Sequence, residues 1–142
     1  MTPSAHSLID QYAKANYQLC GYRFLDLEKF CTESLYSKEI QQRTAGNFID
    51  SVSGWIQETA GVMANADAAQ LSVLLGKIRR AAGLLCIEPL QAVLFSLEKT
   101  SYRLYQEDYV AGVRQAIGQI ELLLTEAKDY LASMQAGKSY GA

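Results

Sequence analysis

Residues Leu71–Leu90, LSVLLGKIRRAAGLLCIEPL, bring an apolar stripe, a basic cluster and an abrupt helix break into one short stretch. Leu71, Leu74, Leu75, Ile78, Ala81, Ala82 and Leu85 recur at three- and four-residue intervals, the spacing that lines side chains along one side of a helix. Ser72, Gly76, Arg79, Arg80 and Gly83 fall on the other side. Two glycines and two arginines make an unusual outward face, because an interior glycine costs about 1 kcal/mol relative to alanine. Cys86-Ile87-Glu88 leads to Pro89, and proline is tolerated in a first helical turn, where its missing N–H has no intrahelical partner. So short a connection makes the flanking helices antiparallel neighbours.

The same periodicity extends in both directions. Ser4 to Leu19 predicts a first helix, with Leu8, Ile9, Tyr12, Ala13 and Leu19 on an apolar side and Cys20-Gly21 ending it. Asp26 to Leu35 predicts a short second helix, capped by Asp26 and turning Leu27, Phe30, Cys31 and Leu35 inward. From Lys38, after Ser37, helical spacing runs through Phe48, Val52, Ile56, Thr59 and Met63 to about Ala64, although Gly46, Gly54 and Gly61 weaken the span. Asn65-Ala66-Asp67 is a polar break, with Asp67 placed to cap the helix of the opening stretch. Beyond Pro89 the pattern predicts one helix to about Tyr105 and a last one from Asp108 to about Met134. Two prolines in the whole chain and no alternating pattern make the fold all-α. The expected architecture is an antiparallel four-helix bundle with one or two extra N-terminal helices. Residues 1–21 form an amphipathic extension, 22–134 the bundle and 135–142 a disordered tail.

At 142 residues and 49% hydrophobic composition, the chain suits one globular domain. A net charge of -2 gives no bulk attraction to nucleic acid. No run of apolar residues is long enough for a membrane span, and the amino terminus lacks a signal-peptide pattern, so a cytoplasmic location is expected. Cys20, Cys31 and Cys86 are odd in number and widely spaced, which suggests buried free thiols rather than a disulfide framework or zinc site.

The chemistry that the residues exclude is broad. His6 is the only histidine and sits in the first few residues, where chains are mobile. A di-iron bundle site needs Glu-x-x-His pairs, and a histidine-assisted nucleophile needs an oriented imidazole in a pocket. Gly137-Lys138-Ser139 lacks the earlier glycine and the strand of a phosphate-binding loop. Glu107-Asp108 and Glu126-Asp129 fit solvation and capping better than acid/base catalysis. The chain is read as a non-enzyme with neither cofactor nor metal.

The run from Leu75 to Leu90 resembles the signature of histidine phosphotransfer (HPt) domains, roughly A-H-x-L-K-G-[SA]-A-x-x-L-G-x-x-x-L. Ile78 falls at its leucine, Arg79 at its lysine, Ala81 and Ala82 at its small pair, and Leu85 and Leu90 at its later leucines. The resemblance implies a four-helix bundle with the motif on its second helix. Gly76 stands at the phosphoacceptor position, Arg80 at the glycine four residues on and Cys86 at the glycine before the next helix. Without an imidazole at Gly76 no phosphohistidine forms there, so the chain is similar to a degenerate HPt domain that keeps the scaffold and has lost the chemistry.

This resemblance implies a non-catalytic module that binds a receiver or histidine-kinase domain of a bacterial-type phosphorelay. The implied contact face is Ser72, Gly76, Lys77, Arg79, Arg80 and Gly83, whose basic residues would favour an acidic partner surface. Its glycines would let another backbone approach. The alternative is a structural or chaperone-like helical adaptor that binds a partner helix or self-associates, with Ser4 to Leu19 as the homodimer contact.

Overall fold

Three polar residues open helices where the sequence pattern places them. Asp26 Oδ1 accepts the backbone N–H of Lys29 at 3.1 Å, Ser37 Oγ that of Ile40 at 3.3 Å, and Asp67 Oδ1 that of Gln70 at 3.1 Å. Each satisfies a first-turn donor that has no intrahelical partner. The computed structural model describes residues 5–135. Along them run α1 (Ala5–Cys20), α2 (Leu27–Glu33), α3 (Lys38–Ala64), α4 (Ala68–Ala82), α5 (Glu88–Lys99), a 3₁₀ turn (Ser101–Arg103) and α6 (Glu107–Gln135). The described residues are all-helical apart from turns and one isolated backbone bridge between Leu25 and Cys86. None of these helices is long and apolar enough to cross a membrane.

α4 packs against α3 and α5, and α6 packs against the same two helices. Leu74 and Ile78 of α4, Leu90 and Leu94 of α5 and Ile120 and Leu123 of α6 are fully buried. A smaller cluster of Leu71, Leu75, Leu104, Tyr109 and Val113 closes the end where α4 begins and the 3₁₀ turn meets α6. The seam read from Leu71 to Leu85 is therefore the buried side of α4, except that Ala81 is only partly covered.

α1 is built into this core rather than appended to it. Ile9 and Ala13 are fully buried in the same cluster as Phe30, Ile78 and Leu90, and the helix packs on α5. The apolar side expected for α1 divides in two, because Leu8, Tyr12 and Leu19 point to solvent. His6 belongs to the helical backbone of α1 instead of a mobile lead-in. Gly21 ends the helix at φ 84°, a left-handed conformation that costs glycine little, and its N–H returns to Tyr17 O at 2.8 Å.

Other boundaries shift for local reasons. α2 stops at Glu33, and Leu35, expected inside, is 78% exposed. Leu35 and Tyr36 both take positive φ, 56° and 58°, which reverses the chain toward the Ser37 cap and swings Leu35 outward. α3 runs unbroken through Gly46, Gly54 and Gly61, since packing along the rest of the helix outweighs their low propensity. α5 ends at Lys99 rather than near Tyr105, with the 3₁₀ turn covering the difference. Gln135, assigned to the tail, is the last residue of α6. Residues 136–142, including Gly137-Lys138-Ser139, and Met1 to Ser4 lie outside the described residues.

Candidate interaction site on α4 and α5

The turn between α4 and α5 is held from both sides. Asp26 N–H donates to Leu85 O at 2.7 Å and Ile87 N–H to Phe24 O at 3.0 Å, while Lys29 Nζ reaches Cys86 O and Glu88 Oε1, each at 3.0 Å. The segment that supplies these bonds is itself clamped. Glu126 of α6 accepts the backbone N–H groups of Arg23, Phe24 and Leu25, and Asn16 Nδ2 of α1 donates to the carbonyls of Tyr22 and Leu25 at 2.7 and 2.8 Å. Tyr22 Oη adds a 2.7 Å bond to Asp129. α1, α6 and the segment between α1 and α2 thus fix the register of α4 against α5.

On that platform Gly76 is buried, not outward-facing. A Cβ at residue 76 would lie 2.8 Å from Glu98 Oε1, 3.2 Å from Glu98 Cδ and 3.2 Å from a terminal nitrogen of Arg80. The absent side chain is what lets the Glu98 carboxylate of α5 lie against α4. Arg79 Nε holds that carboxylate at 2.7 Å, with the two side chains only 20% and 11% exposed. Ser72 Oγ donates to the Glu98 backbone carbonyl at 3.1 Å, and a Cβ on Gly83 would meet Gln91 Nε2 at 3.0 Å. Of the outer face expected for a partner, Ser72, Gly76, Arg79 and Gly83 lie against α5. Their polar groups and open spaces are taken up by α5 of the same chain.

Lys77 turns the other way, its Nζ 5.9 Å from the centroid of the Trp55 ring on α3. Arg80 alone of the six residues is exposed, and among the described residues no carboxylate lies within ion-pair distance of it. Phe95 of α5 is 48% exposed, with Arg79 Cζ and Lys99 Nζ each 5.3 Å from its ring centroid. Val73 and Leu84 add further exposed apolar surface on the α4 side. The result is a mixed patch, an aromatic ring stacked with cations and the exposed Arg80 that follows one of them in the chain. Such a patch suits protein contact, where Arg and aromatic side chains carry much of the binding energy.

Cys86, at the end of the seam, is fully buried, and burial pushes its thiol from an ordinary 9.0 up to about 12, which keeps it protonated and unreactive. Among the described residues no group of three or more His, Cys, Asp or Glu is placed to hold a metal ion. Glu98 and Phe95 carry no sequence signal of their own, although an isolated glycine inside a helix marks a place where a neighbouring helix can pack closely. The sequence pattern reads Glu126 as a solvated surface carboxylate, and nothing in α6 itself marks the three N–H groups that Glu126 receives. No protein-family model matches the chain, and no curated protein or solved structure matches it significantly.

Proposed function

We propose that this chain is a non-catalytic, HPt-like interaction module that binds a receiver or histidine-kinase domain of a cytoplasmic phosphorelay and modulates it by occupancy. The packing of α4 and α6 against both α3 and α5 supports a four-helix bundle of the HPt kind. One observation carries the functional reading: the position that matches the phosphoacceptor is Gly76, and the Glu98 carboxylate, locked by Arg79, fills the space above it. A side chain at that position would have to displace this ion pair, so the surface favours docking over phosphoryl transfer. Contact then falls to Arg80, Phe95 and Lys99 at its edge, a cationic and aromatic patch suited to an acidic partner surface.

The test is binding of the full chain to receiver domains from the same organism, before and after Arg80→Glu and Phe95→Ala. Both residues are exposed, so the fold should persist. Arg79→Glu is a poor probe, because it would set two carboxylates side by side inside the molecule. Affinity should drop at least tenfold in the double variant; unchanged affinity sinks the patch. No acid-labile phosphate should form on the chain with a phosphorylated donor, and stoichiometric phosphorylation would overturn the non-catalytic reading. The alternative, a helical adaptor that binds a partner helix or self-associates, is favoured by one observation, the exposed stripe on α1.

A further inference from the structure

We infer that α1 is a second interface, through which two copies of this chain pair with their α1 helices antiparallel. This deepens the self-association alternative and does not depend on receiver binding, which uses a different surface. α1 carries two stripes. Ile9, Ala13, Asn16 and Cys20 face the bundle, the first two fully buried and the others half-buried. Leu8, Tyr12, Ala15 and Leu19 form the other, with the four-three-four spacing of a helix-helix seam, and all four are exposed, Leu19 by 84% and Tyr12 by 52%. Packing onto α5 and bonds to the segment after α1 account for the first stripe; of the second, Leu8 borders a depression with Pro89, Ala92 and Val93 of α5, and Tyr12, Ala15 and Leu19 are left facing solvent.

The seam is matched to itself. It contains no charge, since helical periodicity puts Asp10 and Lys14 on the opposite side, while Gln11 and Gln18 flank it. A two-fold axis between Ala13 and Lys14 sets Leu8 against Leu19 of the second copy and the Tyr12 ring over Ala15, where the small side chain leaves room. Charge selects the antiparallel direction. The Leu19 end opens on a depression of about 460 Å³ bordered by Asp26, Glu28 and Glu88, and although Lys29 pairs with Glu88 the rim stays acidic. Antiparallel pairing brings there the amino end of the other α1, the positive end of its dipole, whose first turn holds no acidic residue. Four side chains on one helix are far fewer than the roughly 20–30 residues a side of a standard interface, so the dimer is weak.

Deleting α1 is not a clean test, because Ile9 and Ala13 belong to the core. Sedimentation equilibrium of the full chain should show half-conversion to dimer on the order of 100 µM. Leu19→Glu should stay monomeric up to about 500 µM with an unchanged melting temperature in dilute solution. A mixture of Leu8→Lys with Leu19→Glu should regain a heterodimer, because only the antiparallel register sets residue 8 of one copy against residue 19 of the other. A wild-type chain that is monomeric throughout this range overturns the inference, whatever else binds the stripe. So does a dimer that survives Leu19→Glu, and failure of the mixed variants to associate overturns the register.

Discussion

Glu98 on α5 occupies the space that Gly76 leaves open on α4, with Oε1 2.8 Å from where a Cβ would stand. This glycine is retained by the packing of a neighbouring side chain and not by a turn. An alanine there must push back a carboxylate that Arg79 already holds.

Two glycines therefore respond differently to alanine. Gly118, exposed in α6 with nothing within 4 Å of its Cβ position, should gain about 1 kcal/mol as Gly118→Ala, from helix propensity alone. Gly76→Ala should gain nothing or lose up to about 1 kcal/mol, and Gly76→His should lose more, because the Arg79–Glu98 pair must open. Urea midpoints decide the matter, and an equal gain at both glycines rejects the packing role of Glu98.

Glu126 ties α6 to the segment between α1 and α2. Glu126→Ala removes the acceptor for three backbone N–H groups and should cost about 2–3 kcal/mol, with faster amide exchange at Arg23, Phe24 and Leu25. Glu121→Ala, exposed one turn and a half earlier on the same helix, should stay within about 0.5 kcal/mol of wild type. Equal effects would show that the clamp contributes nothing to stability.

Alkaline pH should weaken the fold through two groups. Burial raises Cys86 from an ordinary 9.0 to about 12, and Tyr109, whose hydroxyl donates to Leu97 O at 2.6 Å, from 10.0 to about 12. Both are neutral when protonated, so the folded state keeps protons that the unfolded chain has already lost. Their stabilisation is complete below pH 9 and falls between 9 and 12, by up to about 1.4 kcal/mol per pH unit for each group. The loss between pH 8 and pH 10 should be smaller in Cys86→Ala than in wild type when each is compared with itself. Parallel losses would mean that the thiol is not responsible. Native Cys86 should also resist thiol reagents at pH 8 while Cys20 and Cys31, both partly exposed, react.

Gln119 in α6 is 8% exposed, and its Oε1 is buried with no hydrogen-bond partner among the described residues. Gln119→Leu keeps the volume and removes the orphan acceptor, so stability should be unchanged or higher by about 1 kcal/mol. A loss above about 2 kcal/mol, read from thermal melts, would mean that the amide has a partner such as a buried water.

Much of the helical layout was legible because it is set by local rules. The caps at Asp26, Ser37 and Asp67, the stop at Gly21 and the seam from Leu71 to Leu85 each depend on residues within a few positions of one another. The site was less legible. Arg79 and Glu98 are nineteen positions apart, and a surface read one helix at a time places Ser72, Gly76, Arg79 and Gly83 in solvent. The second stripe of α1 was merged with the first for the same reason, since the difference between Ile9 and Leu8 appears only when α5 is set beside them.

The sequence by itself thus determined that the chain is helical, where most helices begin, which side of α4 is apolar and that no histidine stands at residue 76. Only the tertiary structure decided that Gly76 is covered, that Arg79 is spent on Glu98 and that Arg80 and Phe95 are left facing solvent. The reason is physical: helix periodicity and capping act over one or two turns, whereas burial and ion pairing depend on which helix lies alongside, and that is settled by the whole core at once.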